Sequence, residues 1–288
     1  MRKADIQTNG LPAGLYIVAT PLGNSRDITL RALDILSDVS VIYCEDTRTR
    51  GKLMTMHNIA TSRRAYHEHN AAEMRPKILR QLEEGQAIAL ISDAGTPLIS
   101  DPGMPLVRAV RDAGFEVFAV PGASAPIAAL SIAGLATDQF TFFGFLPPKQ
   151  AARQKALEKL RPYAGTLVFF ESAKRVAKTL ADVAQVLGER EVVVAREITK
   201  KFEQVLSGTA ADLAAQFEAE PPRGELVFLV GPAAHVPVDE ATLNAHLDAS
   251  LQTALQTMSL RDAVKHVTEQ SGQKRKIVYE RALKISQT

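Results

Sequence analysis

Cysteine, unbalanced charge and long apolar runs are what this 288-residue sequence lacks. A single cysteine, Cys44, excludes an internal disulfide and a cysteine-based zinc site, and it fits a reducing, cytoplasmic setting. No run of eighteen apolar residues occurs, so a membrane-spanning helix is not expected, and Arg2, Lys3, Ala4 and Asp5 after Met1 form no apolar core of a secretory signal. Charge of one sign is missing too. Lys and Arg total 34 against 32 Asp and Glu, a net charge of +2, which excludes a polycation that holds nucleic acid by bulk charge alone. What is present is ordinary globular material, 46% hydrophobic and 23% charged, in a chain long enough for two domains.

The few surplus cations are local. Residues 259–284 hold seven basic side chains against three acidic ones, and residues 147–162 hold five against one, so each segment carries +4. The remainder of the chain is acidic. A solvated helix face and a phosphate-binding surface account equally well for runs of this size.

Strand-like and helix-like segments alternate. Apolar runs of strand length fall at 14–20, 39–44, 87–92 and 116–120, with helical spacing at 28–36, near 77–84 and around 105–113. This is βαβ patterning with short connections, the signature of an α/β domain. Pro121 and Gly122 then lead into an Ala-rich helix over 124–134, which places a domain junction at 121/122. A second α/β domain is expected over 122–236, with strands near 139–145, 166–171, 191–197, 203–208 and 224–231 and helices near 150–160, 173–187 and 209–217. After a linker around Pro237, residues 237–288 read as a basic helical extension whose segments 261–268 and 274–283, split at Ser271-Gly272, suggest a helix-turn-helix or a plain packing hairpin.

Three loops follow strands and concentrate Gly, Pro and hydroxyl residues. ISDAGTPLISDPG (91–103) is the richest, and its place at a strand's carboxyl end is where open α/β sheets bind ligands. There Asp93 offers an acceptor for a ligand amine or ribose, Gly95 permits close backbone approach and Thr96 supplies a hydroxyl; the competing reading is an elaborate turn with Asp93 capping the next helix. ATPLGNSRD (19–27) ends the first strand and VPGASA (120–125) opens a helix at Ser124, a position suited to capping and to ligand contact. Neither G-x-G-x-x-G nor G-K-[ST] occurs, which leaves a dinucleotide fingerprint and a P-loop unsupported. Polar clusters complete the set: Glu45, Asp46, Arg48 and Arg50 after the second strand, His67, Glu68, His69 and Asn70 in one loop, and Arg196, Glu197, Lys200 and Glu203 after another strand. Without H-E-x-x-H or further cysteines, His67 and His69 do not make a metal site, and none is expected.

The ordered set ATPLGNSRDIT, CEDTR, YHEHN, LISDAGTPLISDPG, VPGASA, FFES, REITK and GELVFLVG resembles the tetrapyrrole-methylase superfamily, and within it the ribosomal RNA small subunit methyltransferase I family. The resemblance implies a two-domain α/β fold with a cofactor cleft between the domains and a small helical C-terminal extension. It implies S-adenosylmethionine as cofactor and a homodimer. It further implies methylation of the ribose 2′-oxygen of a decoding-centre cytidine of 16S rRNA, in the assembled small ribosomal subunit. By the same resemblance the cofactor falls on Pro21, Leu22 and Gly23, on Asp93, Ala94, Gly95, Thr96 and Ser100, on Pro121, Gly122, Ala123 and Ser124, and on Phe170 and Pro232. Where the superfamily has Gly-x-Gly-x-Gly-Asp and Gly-Asp-Pro, this chain reads Ala19-Thr20-Pro21-Leu22-Gly23 and Ser92-Asp93-Ala94, which points away from a tetrapyrrole substrate. For a ribose hydroxyl, a poor nucleophile at neutral pH, Asp101, Asp46 and His67 are the candidate bases or acceptors, with Lys200 and Arg48 as electrostatic or phosphate-binding groups. A methyltransferase for a tetrapyrrole or another small molecule, and a catalytically idle ribosome-binding protein on the same scaffold, are the alternatives.

Overall fold

The computed structural model describes residues 10–46, 49–233, 240–271 and 273–286. Arg48, the linker at Pro237 and Gly272 lie outside the described residues. The chain separates into two compact units with the division between Ala233 and Ala234.

The larger unit contains two sheets. In its first part β1 (Gly14–Val18), α1 (Leu30–Asp38), β2 (Val41–Cys44), α2 (Thr49–Met56), β3 (Arg63–Ala65), α3 (Ala71–Glu83), β4 (Ala87–Ile91), α4 (Met104–Asp112) and β5 (Val117–Val120) follow one another. The strands form one parallel sheet in the order β3-β2-β4-β1-β5. A parallel sheet is covered on both faces, so its central strands are continuous apolar runs. Leu15, Val41, Tyr43, Ile88 and Leu90 pack on one side, and Tyr16, Val18, Ile42, Cys44, Ala89 and Ile91 on the other. Register brings Val18 level with Ile91 and with Val120. The carboxyl ends of β4, β1 and β5 therefore open side by side.

The second part runs α5 (Ala125–Ala133), β6 (Phe140–Phe145), α6 (Gln150–Glu158), β7 (Thr166–Ser172), α7 (Val176–Leu187), β8 (Glu191–Arg196), β9 (Gln204–Thr209), α8 (Ala210–Ala219) and β10 (Glu225–Val230). Its sheet has the order β6-β7-β10-β8-β9, with β6 and β7 parallel and the other pairs antiparallel. Phe169, Val194 and Phe228 face α7 and α8, while Val168, Val193, Val227 and Leu229 face Ala129 and Leu130 of α5. Thr209 caps α8 by accepting the Asp212 N–H at 3.1 Å.

The smaller unit consists of α9 (Glu240–Leu255), α10 (Leu260–Ser271) and α11 (Arg275–Ser286). Leu247, Leu251, Val264, Val267, Val278 and Ala282 form its core. Arg281 grips Asp248 with two hydrogen bonds of 2.8 and 2.6 Å.

Several sequence expectations are corrected. The short strand β3 and helix α2 carry no apolar periodicity and were not anticipated. Helix α3, expected near 77–84, starts at Ala71 and contains Pro76 inside it. The basic run over 147–162 is not wholly a surface feature. Arg153 is 5% exposed, bonds Asp182 Oδ2 through Nε at 2.6 Å and reaches the Pro148 carbonyl at 3.1 Å, while Arg161 pairs with Glu158.

Candidate functional site

The site is assembled from strand ends. Beyond β1 and β4 the backbone of Thr20 and Gly95 exchanges two hydrogen bonds, of 2.8 and 2.9 Å, tying the two loops together. Thr20 Oγ1 also donates to the Ser92 carbonyl at 3.2 Å, and Thr96 Oγ1 donates to the Ala123 carbonyl at 3.0 Å, which joins the β4 loop to the β5 loop. Gly95 has φ +74°, and a Cβ there would press on Leu22 Cδ2 at 3.2 Å. Helix α4 is capped by Gly103. Asp93 is therefore not its cap. Ser124 occupies the N-cap position of α5, yet its hydroxyl makes no capping bond.

From the second sheet comes a buried carboxylate. Glu171, 2% exposed at the end of β7, accepts the Thr179 hydroxyl at 2.7 Å, the Ser172 N–H at 2.8 Å and the Arg175 guanidinium at 3.2 Å. Arg175 in turn donates to the Leu146 carbonyl at 2.7 Å, which holds the segment after β6 against the end of β7. Beyond β8, Glu197 and Lys200 pair at 2.9 Å, and Thr199 Oγ1 accepts the Asn24 N–H at 3.1 Å, so this loop reaches the first one. A Cβ at Gly23 would collide with the Lys200 stem, and one at Gly224 would collide with the Glu197 carboxylate. Leu98, Ser100, Glu197 and Thr199 all have left-handed backbone, with φ of +73°, +66°, +50° and +68°. Such conformations are costly for these residue types, and here they cluster in the two loops that face each other.

Between the loops lies a cavity of about 330 Å³. Leu22, Ile99, Ala125, Pro126, Phe145, Phe170, Ile198, Leu226 and Val227 give it apolar walls. Among the described residues its lining holds Asp93, Asp101, Glu171, Glu197 and Glu225 against Lys200 as the one basic side chain; Arg175 balances the buried Glu171 and Lys200 balances Glu197, so the acidic surplus of the lining comes from Asp93, Asp101 and Glu225. An apolar cleft with a net acidic lining suits a ligand that carries positive charge and disfavours one that carries phosphates.

The tetrapyrrole (corrin/porphyrin) methylase family matches residues 14–214, and the RsmI C-terminal HTH domain matches residues 241–286. The ribosomal RNA small subunit methyltransferase I of Mesorhizobium japonicum is 43% identical, covering 99% of this chain and 97% of its own. That of Erythrobacter litoralis is 46% identical, covering 98% of each. The chain belongs to the ribosomal RNA small subunit methyltransferase I family. Among solved structures, the uroporphyrin-III C-methyltransferase of Thermus thermophilus complexed with S-adenosyl homocysteine has a similar fold, with a TM-score of 0.54 at 19% identity over 77% of this chain and 99% of that one.

In this family member, eleven of the residues singled out in sequence line the cavity: Leu22, Asp93, Ala94, Gly95, Thr96, Ser100, Asp101, Ser124, Phe170, Glu197 and Lys200. Three more belong to the same loops without lining it. Gly23 lies against Lys200, Gly122 against Ala19, and Ala123 receives the Thr96 hydroxyl. Pro21 and Pro121 are not in the lining, nor is Pro232, which follows β10 at the end opposite Glu225. Asp46 and His67 do not line it either. They follow β2 and β3, which lie across β4 from β1, and the His67 N–H is held by Asn70 Oδ1 at 2.8 Å in a local turn. Among the described residues no group of three or more His, Cys, Asp or Glu side chains is arranged to hold a metal. Sequence reasoning gave no site role to Phe145, to Glu171 and Ser172 of FFES, or to residues 224–227 of GELVFLVG. The signal for Glu171 was a carboxylate closing the apolar run TLVFFE, a charge that a strand buried on both faces tolerates only with partners.

Proposed function

We propose that the chain is an S-adenosylmethionine-dependent methyltransferase that modifies the ribose 2′-oxygen of a decoding-centre cytidine of 16S rRNA, acting in the cytoplasm as a homodimer on the assembled small subunit. The acidic cavity, in a chain of the ribosomal RNA small subunit methyltransferase I family, carries this reading. The residues present fit such a cofactor: the close approach that Gly95 allows beside Leu22, the apolar walls and the surplus of carboxylates match an uncharged purine nucleoside joined to a cationic amino-acid end. When bound, the cofactor supplies a methyl group activated by a sulfonium.

The protein's own contribution is positioning and proton handling. Thr96, Gly95 and Ser124 line the cavity from the stitched β1, β4 and β5 loops, and Phe170 and Leu226 give it apolar wall from the second sheet. Asp101 is the carboxylate we assign to accept the proton of the 2′-hydroxyl, in preference to Asp46 and His67, which lie outside the lining. Lys200, held by Glu197 and by the tight approach of Gly23, is the cation we assign to a phosphate of the substrate, as distinct from the cofactor. Glu171 carries its own guanidinium partner and serves the wall.

The test is methyl transfer from labelled S-adenosylmethionine to undermethylated small subunits and, in parallel, to naked 16S rRNA. Label should appear on one ribose 2′-oxygen, in subunits far more than in naked RNA. Label on a base or on a tetrapyrrole, or on no acceptor at all, overturns the reading.

A further inference from the structure

One strip of α11 is unexplained by the packing of its own unit. Val278 and Ala282 are buried in the three-helix core, whereas Arg275, Lys276 and Tyr279 point to solvent, with Tyr279 46% exposed. Arg275 and Lys276 precede Tyr279 by four and three residues, so the three side chains are neighbours on the helix surface. Lys274 stands immediately before the first turn, and that turn contains no acidic residue. Three cations at the positive end of the helix dipole lower helix stability rather than raise it. Arg281 is not part of the strip, because Asp248 holds it. Glu280 bounds it on the far side. A cationic strip with a half-exposed tyrosine in its middle complements a polyanion that also presents aromatic rings. That is the chemistry of RNA, with phosphates for the cations and an unpaired base for the ring.

We propose that Lys274, Arg275, Lys276 and Tyr279 form a docking strip for ribosomal RNA of the small subunit, with the three cations on backbone phosphates and the Tyr279 ring stacked on an unpaired base. The proposal rests on the reading of the chain as an enzyme of small-subunit RNA. Its position on the second helix of the α10–α11 pair is the position from which helix-turn-helix units meet nucleic acid.

Binding of the full-length chain to small subunits is measured between 50 and 200 mM KCl, separately from methyl transfer. Neutralising the strip with Lys274→Gln, Arg275→Gln and Lys276→Gln removes three phosphate contacts. The loss of affinity across that salt range should then be about 20- to 40-fold smaller than for the parent chain. Tyr279→Ala should weaken binding about tenfold at every salt concentration, and Tyr279→Phe should keep it, because stacking requires the ring and not the charge. Cofactor affinity stays unchanged in all of them, and their helical circular dichroism and thermal unfolding match those of the parent chain, which reports that the three-helix unit folds. An unchanged salt slope overturns the proposal, as does an equal change from Lys155→Gln of α6 with Lys159→Gln at its C-cap, both exposed. Ultraviolet cross-linking that joins Tyr279 to a ribosomal protein and not to RNA overturns it as well. If the parent chain binds subunits through the strip but transfers no methyl group, the enzymatic reading fails; if it methylates subunits and the strip variants bind normally, only this proposal fails.

Discussion

Gly224 is a residue at which one methyl group reaches the chemistry. Its backbone is left-handed, φ +85°, and the space a Cβ would take belongs to the Glu197 carboxylate, which in turn holds Lys200 at 2.9 Å. Gly224→Ala should therefore cost about 1–2 kcal/mol in backbone strain, read by urea unfolding. By displacing Glu197 it should also weaken cofactor binding about tenfold, the scale of one charged hydrogen bond. Asp101 offers the complementary case, a lining carboxylate assigned to the proton rather than to the cofactor. Asp101→Asn keeps the shape and removes the basicity, so the single-turnover rate should fall about 10²-fold or more while calorimetry finds cofactor affinity nearly unchanged. An unaltered rate would take Asp101 out of the mechanism and return attention to the rim.

Elements differed in how far their sequences betrayed them. Strands β1, β2 and β4 were legible because burial on both faces of a parallel sheet leaves continuous apolar runs such as AIALI. Strand β3, Arg63-Arg64-Ala65, was not, since an exposed edge position needs backbone pairing and no apolar pattern. The loops at the strand ends were legible by composition, which is why most of the β4-loop residues are in the lining, whereas Gly224 to Val227 look like plain strand and reach the cavity only through sheet order. Charge was the least legible property. Arg153 of α6 reads as a solvated cation but is buried on Asp182, which also accepts Gln150 and Gln154 of the same helix at 3.1 and 2.8 Å. Asp182→Ala leaves Arg153 buried without its carboxylate and should cost about 3–5 kcal/mol in urea unfolding, whereas Arg153→Met combined with Asp182→Leu should recover most of that loss. The Asp248–Arg281 pair between α9 and α11 behaves differently because it is reached by solvent. Arg281's hydrogen bonds hold the Asp248 carboxyl below the usual aspartate range. A depressed carboxylate stabilises the fold above its unfolded pKa, and that contribution is lost as pH falls through the folded value. Asp248→Asn should thus lower the melting temperature of the smaller unit at pH 7, and the gap from the parent chain should close below about pH 4.

On the scale of the whole molecule, a net charge of +2 conceals a division of labour between an acidic cavity and a basic C-terminal segment. All residues that line the cavity fall between Leu22 and Val227, and each of the two units has a hydrophobic core of its own. The division at Ala233/Ala234 follows β10, so a chain ended after Ala233 keeps every described strand and every described residue of the cavity lining. That truncated chain should bind S-adenosylmethionine with the affinity of the full one, because every described residue of the cavity lining is kept. Its affinity for small subunits should fall and become markedly less sensitive to salt, because the segment carrying +4 over residues 259–284 has gone with its phosphate contacts. Calorimetry with the cofactor and a salt titration of subunit binding separate these effects. If cofactor and subunit affinity fall together, the helices support the fold of the larger unit and not the grip on RNA; if neither falls, the larger unit recognises the particle by itself, and the surplus cations of α11 must serve another partner.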